Sequence, residues 1–590
     1  MLNGRLRPLA SDSTPLARKL TLEPLESRRM LAIDFQLVKD INAGTQGSTP
    51  FFLTNAAGTV YFSANDGVSG YELWKSDGTE AGTVLVKDLS PGATGNSLGI
   101  KFQVVGETLY FTHDDLWKSD GTQAGTFRIK QINIGTGYSQ ISYLTNGGGT
   151  LYFVANDGAS GSELWKSDGT EAGTVRVKDI LTGGGSSNPR YLTDVAGTLY
   201  FRANDGVSGY ELWKSDGTEA GTVRVRDIRT GFYDSSPRAL TNVNGTLYFS
   251  ADNGEGGREL WKSDGAELGT VRVRDIIPGT NSSYPTGLAN ISGTLFFAAN
   301  ESVSGRELWK SDGTEAGTVR VRDINAGASH SYPGWLTNVD GMLYFNAVDA
   351  SGGWELWRSD GTELGTLRVK DINAGALHAF PFNLTNVGGT LYFTAQNDTT
   401  GYELWKSDGT EAGTQILKDF TGDSGSSRPQ FITEADGRLF VAAETPAYGR
   451  EIWVADLAPP PSLAGDYDLD GRVDGADFLS WQRHLGMPAV PVGSGADGDA
   501  SGEVGSGDLA VWIEHFGEPA SGATAVAAIS AAEEVAAEGI VAAGVSRDAQ
   551  RSERRSAAVD AIYAAGDFAS LFAEAPSHGM RERRAGWRRR

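Results

Sequence analysis

Cysteine is absent from all 590 residues. Disulfide bridges, thiolate metal centres and a cysteine nucleophile are thereby excluded, and stability has to come from packing. Nor is there any run of 18 or more apolar residues, the length a bilayer-spanning helix requires, so no membrane span is expected. Positive charge is in deficit: 51 Lys and Arg stand against 74 Asp and Glu, a formal net charge of -23. A phosphate backbone is held by clustered Lys and Arg, so this balance argues against nucleic acid as a general partner and in favour of cations.

What is present is a repeat. A block reading Gly-Thr-Leu-Tyr-Phe, a Gly-rich turn, Glu-Leu-Trp-Lys-Ser-Asp-Gly-Thr, then Val-Arg-Val-Arg-Asp-Ile recurs nine times, marked by Trp74, Trp117, Trp165, Trp213, Trp261, Trp309, Trp357, Trp405 and Trp453. The first interval is 43 residues and every later one 48, within the range of β-repeat architectures. Residues 281 to 324 contain four β-type runs: Leu288 to Ile291, Thr294 to Ala298, Glu307 to Ser311 and Thr318 to Ile324. Asn, Asp and Gly clusters separate them, as tight antiparallel turns require. Four strands per period is the arithmetic of a propeller blade. In the last run Val319 and Val321 alternate with Arg320 and Arg322, a pattern suited to an outermost strand because charge discourages edge pairing.

The ends of the array complement each other. Asp34 to Ile41 reads as a fourth strand with no preceding three, and the ninth unit, ending at Glu451-Ile452-Trp453-Val454, lacks its fourth. Pairing the two would close a ring and remove the free sheet edges. The expected fold is therefore mainly β, a closed nine-bladed β-propeller over residues 34–456, with two smaller rings or an open array as the alternatives. These units resemble the ELWxxDGT repeat family, also grouped with hyalin-like repeats.

Residues repeated in nearly every unit, such as Glu211, Trp213, Lys214 and Asp216, read as structural, because catalysis needs asymmetric groups around one reacting atom. Trp suits packing between blades and Asp-Gly suits turns. No catalytic constellation is identified. Departures from the repeat are Thr112-His113-Asp114-Asp115 in the shortened second unit, together with His330 and His378. The two histidines read as solvated loop residues. Tyr284, Tyr332, Trp335, Phe380 and Phe382 could stack on sugar rings, although burial between blades is the plainer expectation.

A Pro-rich linker (457–464) leads into Asp466-Tyr-Asp468-Leu-Asp470-Gly471-Arg472-Val473-Asp474-Gly-Ala-Asp477. Calcium takes six to eight oxygens, and a 12-residue loop supplies them from positions 1, 3, 5, 7, 9 and 12, with Gly at 6 for the sharp bend. Here these are Asp466, Asp468, Asp470, the Arg472 carbonyl, Asp474 and Asp477. The pattern returns 31 residues on as Asp497, Asp499, Ser501, the Glu503 carbonyl and Asp508, with Gly505 at position 9. Two Ca2+ sites are expected, the second weaker because it has fewer carboxylates. Each loop runs into a helix-like segment, Phe478 to Leu485 and Leu509 to Phe516, which would pack through Phe478, Leu479, Leu485, Val511, Trp512 and Phe516.

This pair of loops and helices resembles a type I dockerin over residues 465–517. The resemblance implies a small α-helical calcium module that docks onto a cohesin-like module. The basic residues 1–33 lack the apolar core of a secretory signal, but the stretch Lys19 to Leu31 resembles the LEPR-xLL sorting segment of many planctomycete surface proteins. An extracellular or cell-surface location is the expectation it carries. Residues 518–590, Ala-rich and then Arg-rich, read as mostly disordered. The functional expectation is a noncatalytic assembly protein anchored through the dockerin-like module, its array a binding or spacing surface with extracellular polysaccharide among the partners. A polysaccharide-degrading enzyme is the alternative.

Overall fold

The computed structural model describes residues 33–91, 100–135, 137–422, 424–457, 465, 467, 473, 475–487, 496–498, 501 and 503–515. The chain divides into two units between Leu457 and Ala458.

The first unit is a nine-bladed β-propeller, each blade a four-stranded antiparallel sheet. In blade 6 the strands are Thr286–Ile291, Thr294–Glu301, Gly305–Ser311 and Val319–Arg322, close to the runs read from sequence. The inner hairpin turns on Ser292 and Gly293, at φ +47° and +87°, the two positive values that a two-residue turn of the right twist requires. The next turn explains the repeated Ser-Asp-Gly-Thr. Ser311 Oγ accepts the Gly313 N–H at 3.0 Å and shares a hydrogen with Thr318 Oγ1 at 2.7 Å, while Asp312 Oδ1 accepts the Thr314 N–H at 2.8 Å. A Cβ on Gly313 would lie 2.3 Å from the Tyr248 hydroxyl of blade 5, so only glycine lets the two blades approach here.

The core lies between blades rather than within them. Val243, Tyr248, Leu260, Val273 and Ile276 of blade 5 pack on Leu295, Phe297, Ala299 and Trp309 of blade 6, and the cluster recurs around the ring. The repeated Trp is thus an interblade wedge. The Val-Arg-Val-Arg run is the outermost strand, its arginines paired at the surface, as Arg320 with Glu301 at 2.9 Å. The last basic residue of that strand reaches the next blade: Arg226 donates to the Thr270 carbonyl and Arg274 to that of Thr318, each at 2.6 Å.

Closure follows the same rule. Gln36–Leu37 pairs with Gly449–Asp456 in the register Gln36↔Val454 and Leu37↔Trp453, completing blade 9. Lys39 then donates to the Thr83 carbonyl of blade 1 at 2.9 Å, as the outer strands of blades 1 to 7 do to their neighbours, whereas Lys418 of blade 8 pairs with Asp34 at 3.8 Å. One closed ring is present, and the two-ring and open arrangements are excluded. The 43-residue interval reflects a hairpin cut to a single turn residue, Asp114 at φ +59°, between His113 and Asp115.

In the second unit two helices are described, α1 (Gly475–His484) and α2 (Ser506–His515). Both begin three residues before the run read from sequence, which puts Asp477 and Asp508 in their first turns, where carboxylates complement the helix dipole. Tyr467, Val473, Trp481, Ala496, Val504 and Trp512 form the core, with Phe478, Leu509 and Ile513 against it. Leu479 and Leu485, expected there, are exposed: Leu479 lies off the helix face defined by Phe478 and Trp481, and Leu485 lies past the helix end at His484. Phe516 lies outside the described residues, as do residues 1–32 and 518–590.

Candidate functional sites on the inner rim and in the acidic loops

A buried glutamate recurs in eight of the nine blades. Glu211 accepts the Ile228 N–H at 2.9 Å, the Ser235 N–H at 3.1 Å and the Ser235 hydroxyl at 2.7 Å. Glu72, Glu163, Glu259, Glu307, Glu355, Glu403 and Glu451 occupy the same place in other blades, and Asp115 takes it in blade 2. Each fastens its third strand to the connection entering the next blade. Burial pushes Glu211, Glu259 and Glu307 up to about 7, against the lowering effect of those hydrogen bonds. This is a structural staple rather than a reaction centre.

His330 and His378 are part of the same connections. Nδ1 of His330 accepts the Arg306 N–H at 2.8 Å and that of His378 accepts the Trp354 N–H at 3.2 Å. In other blades a serine hydroxyl accepts the equivalent bond, as Ser282 does from Arg258 at 2.8 Å. The histidines stand in for serine.

The inner rim is different. Inner strands of successive blades adjoin around the centre, and in every blade but the second a bulge at the start of the inner strand puts its second residue at φ +53° to +62°. Glycine accepts this backbone freely, whereas a bulky residue is strained there, at about 1 kcal/mol or more. Gly287, Ala239 and Asn383 occupy it in three blades. In the other five it carries Phe52, Tyr143, Tyr191, Trp335 and Phe431. Four of these are exposed, Trp335 to 51%. Phe52 and Phe431 lie 5.8 Å apart, centroid to centroid, and with Phe102, Tyr143 and Lys101 they line a cavity of about 420 Å³. Tyr284 and Tyr332, at 53% and 47% exposure, are likewise not buried between blades as expected. They precede Pro285 and Pro333 at φ +47°, and this aims them away from the interblade core. Trp335→Gly should therefore leave the midpoint of urea unfolding unchanged or raise stability by up to about 1 kcal/mol, a result opposite to that of truncating a core tryptophan.

A basic group at this rim was missed in the sequence. Arg202 lies directly opposite Arg190 in the blade 4 register. Arg202 is 7% exposed, its guanidinium carbon 5.4 Å from the Tyr191 ring and 4.7 Å from that of Tyr210, and its Nε makes no hydrogen bond. The signal was there: other blades have Ser63, Thr112, Val154, Ser250, Ala298, Asn346, Thr394 or Ala442 at this position, and only Arg202 is ionisable.

Of the loop residues read as calcium ligands, Asp466, Asp468, Asp470, Arg472, Asp474 and Asp499 lie outside the described residues. Asp477, Asp497 and Asp508 are all buried, at 0%, 1% and 0% exposure. Asp477 accepts the Tyr467 N–H at 2.6 Å, Asp508 the Gly505 N–H at 2.6 Å, and Asp497 the Ser501 N–H at 2.9 Å. The Ser501 hydroxyl and the Glu503 carbonyl, positions 5 and 7 of the second loop, meet at 3.0 Å. The two halves are joined by Trp481 Nε1 donating to the Gly505 carbonyl at 2.7 Å and by Gly486 and Met487 pairing with Val504. Among the described residues no three Asp, Glu or His side chains gather closely enough to hold a metal by themselves.

No helix of the described residues is long and apolar enough to cross a membrane. No family model matches the chain, and no curated protein does. Solved structures do. Puromycin hydrolase is 14% identical over 69% of this chain and 60% of its own, with a TM-score of 0.34. Acylaminoacyl peptidase from Pyrococcus horikoshii is 10% identical over 68% of this chain and 58% of its own, with a TM-score of 0.31. The β-propeller domain of the Trilobed protease from Pyrococcus furiosus, described as having an open velcro topology, is 12% identical over 63% of this chain and 99% of its own, with a TM-score of 0.31. The chain thus spans about 60% of the length of puromycin hydrolase. These findings correct the expectation of a noncatalytic assembly protein anchored by a dockerin-like module: the solved chains similar to this one are peptidases and puromycin hydrolase. At these identities the likeness is one of fold and assigns no activity to this chain.

Proposed function

We propose that the second unit binds calcium, one ion in each loop, and that the chain is a calcium-dependent propeller protein. The observation that carries this reading is the burial of three carboxylates, Asp477, Asp497 and Asp508, at loop positions 12, 1 and 12 of the second unit. Burying an ionised carboxylate is costly unless charge or hydrogen bonds compensate it, and each of the three accepts a backbone N–H, at 2.6 to 2.9 Å. An all-oxygen donor set fits a hard divalent cation. Asp466, Asp468, Asp470, Arg472 through its carbonyl, Asp474 and Asp477 would hold the first ion. Asp497, Asp499, Ser501, Glu503 through its carbonyl and Asp508 would hold the second. The spacing supports the dockerin resemblance of the loops, and a location outside the cytosol, where calcium is abundant, goes with it.

Calcium titrated into the whole chain should bind with a stoichiometry of two, the tighter site lost in Asp466→Ala and the weaker in Asp497→Ala, read by calorimetry. Trp481 and Trp512 fluorescence should change with the first equivalent. A chain that takes up no calcium at millimolar concentration overturns the reading.

A further inference from the structure

Blades 4 and 5 gather positive charge at the inner rim of a strongly acidic protein. Arg190 and Arg202 face each other across adjacent strands, an arrangement that is unfavourable for like charges. On the neighbouring inner strand stands Arg238, and behind it Arg258 donates to the Ser235, Ser236 and Ser250 carbonyls rather than to a carboxylate. The carboxylate near Arg258, Asp252, is already paired with Arg229 at 3.2 Å. No salt bridge to Arg190, Arg202, Arg238 or Arg258 occurs among the described residues, although Asp and Glu outnumber Lys and Arg by 23 in the chain. Burial and the neighbouring arginines together weaken the hold of Arg202 on its proton. Repulsion of this kind, with a buried guanidinium nitrogen left without a partner, is what a site looks like when its counter-charge arrives with a ligand.

Beside the arginines stands Tyr191, one of five aromatic side chains placed on a strained backbone at this rim. A guanidinium fork matches a carboxylate or sulfate in two hydrogen bonds, and an exposed aromatic face matches the C–H face of a pyranose. From this juxtaposition we propose that the inner rim of the propeller binds an acidic polysaccharide, its uronate or sulfate groups held at Arg190, Arg202 and Arg238 and its sugar rings stacked on the rim aromatics. An acidic peptide would satisfy the arginines but not account for bulky aromatics where glycine, alanine or asparagine serve the fold elsewhere. The site goes beyond the calcium reading and does not depend on it.

The test uses the full chain, with polygalacturonate and heparin as probes, dextran as the neutral polymer and polyglutamate as a charged polymer without rings. Binding is measured by calorimetry in chelator, so that failure of the calcium loops leaves the outcome intact. Polygalacturonate or heparin should bind, with affinity falling as salt rises, and Arg190→Gln with Arg238→Gln should weaken binding at least tenfold. Both residues are exposed, so an unchanged melting temperature certifies the fold, and the Arg-rich residues 581–590 remain in the variant as an internal control for nonspecific attraction. Trp335→Gly should weaken binding severalfold without loss of stability. The proposal is overturned if neither acidic polymer binds, if the double variant binds as well as the parent, or if polyglutamate or dextran binds as tightly as the acidic polysaccharides.

Discussion

Glu211→Gln is expected to destabilise the propeller by about 3 kcal/mol, while Glu355→Gln changes it by less than about 1 kcal/mol. The groups around Glu211 are donors: the Ile228 and Ser235 N–H groups and the Ser235 hydroxyl. A glutamine keeps one oxygen for them and turns an NH2 against the rest, leaving buried donors facing each other. In blade 7 the serine is replaced by Ala379, and Glu355 accepts the Ile372 N–H at 2.7 Å through Oε2 while Oε1 makes no hydrogen bond. Glutamine there keeps the Ile372 bond, meets no serine hydroxyl, and removes a buried charge. Urea unfolding followed by the ring tryptophans measures both. Equal losses in the two variants would show that the carboxylate is not held by its donors.

The same staples make the propeller most stable in mild acid. Burial pushes Glu72, Glu211, Glu259, Glu307, Glu355 and Glu451 up to about 7, and raises Glu163 and Glu403 as well. In the unfolded chain each titrates near the ordinary value, about 4.3. Between about pH 4.5 and 7 the folded form holds more protons, so stability falls as pH rises across that window. Their contribution is fully present below the unfolded value and lost above about 7. The turn carboxylates act oppositely. Hydrogen bonds from the side chain and backbone of Thr170, Thr218 and Thr362 hold Asp168, Asp216 and Asp360 below the usual carboxylate range. What they contribute is present above that range and lost as pH falls through it. The melting temperature of the ring should therefore peak near pH 5 and fall by several degrees towards pH 8. A melting temperature that stays flat or rises over that interval sinks the assignment, and Glu211→Gln should flatten the profile by one glutamate's share.

Much of the ring was legible because a repeat multiplies weak signals. Four alternating runs between Gly-rich turns recur at a fixed period, and the strand of Asp34 to Ile41 answers the one missing after Val454. The role of Glu211 as structure followed from its repetition. The bulge that opens the inner strand was not legible, because nothing in Pro-Phe-Phe or Pro-Gly-Trp announces a positive φ at the second residue. Without it Trp335 looks like core. Arg202 was hidden for the opposite reason: a single departure is lost in a pattern read for its agreements. In the second unit Asp477 and Asp508 fall in first helical turns that the sequence reading began three residues late, and the apolar count included Leu479, which helix phase removes, and Leu485, which lies past the helix end.

The strand that completes blade 9 is made first and used last. Gln36 leaves the ribosome some four hundred residues ahead of its partner Val454, an interval of roughly 20 to 80 seconds at ordinary rates of synthesis. Eight blades can stack as they emerge, each on the one before, while the latch for the ninth waits unpaired. A chain broken off anywhere before Gly449 keeps a bare sheet edge at one end and an orphan strand at the other. Closure thus certifies that synthesis has passed the ninth blade, in a form visible to any quality-control factor that reads exposed strand edges.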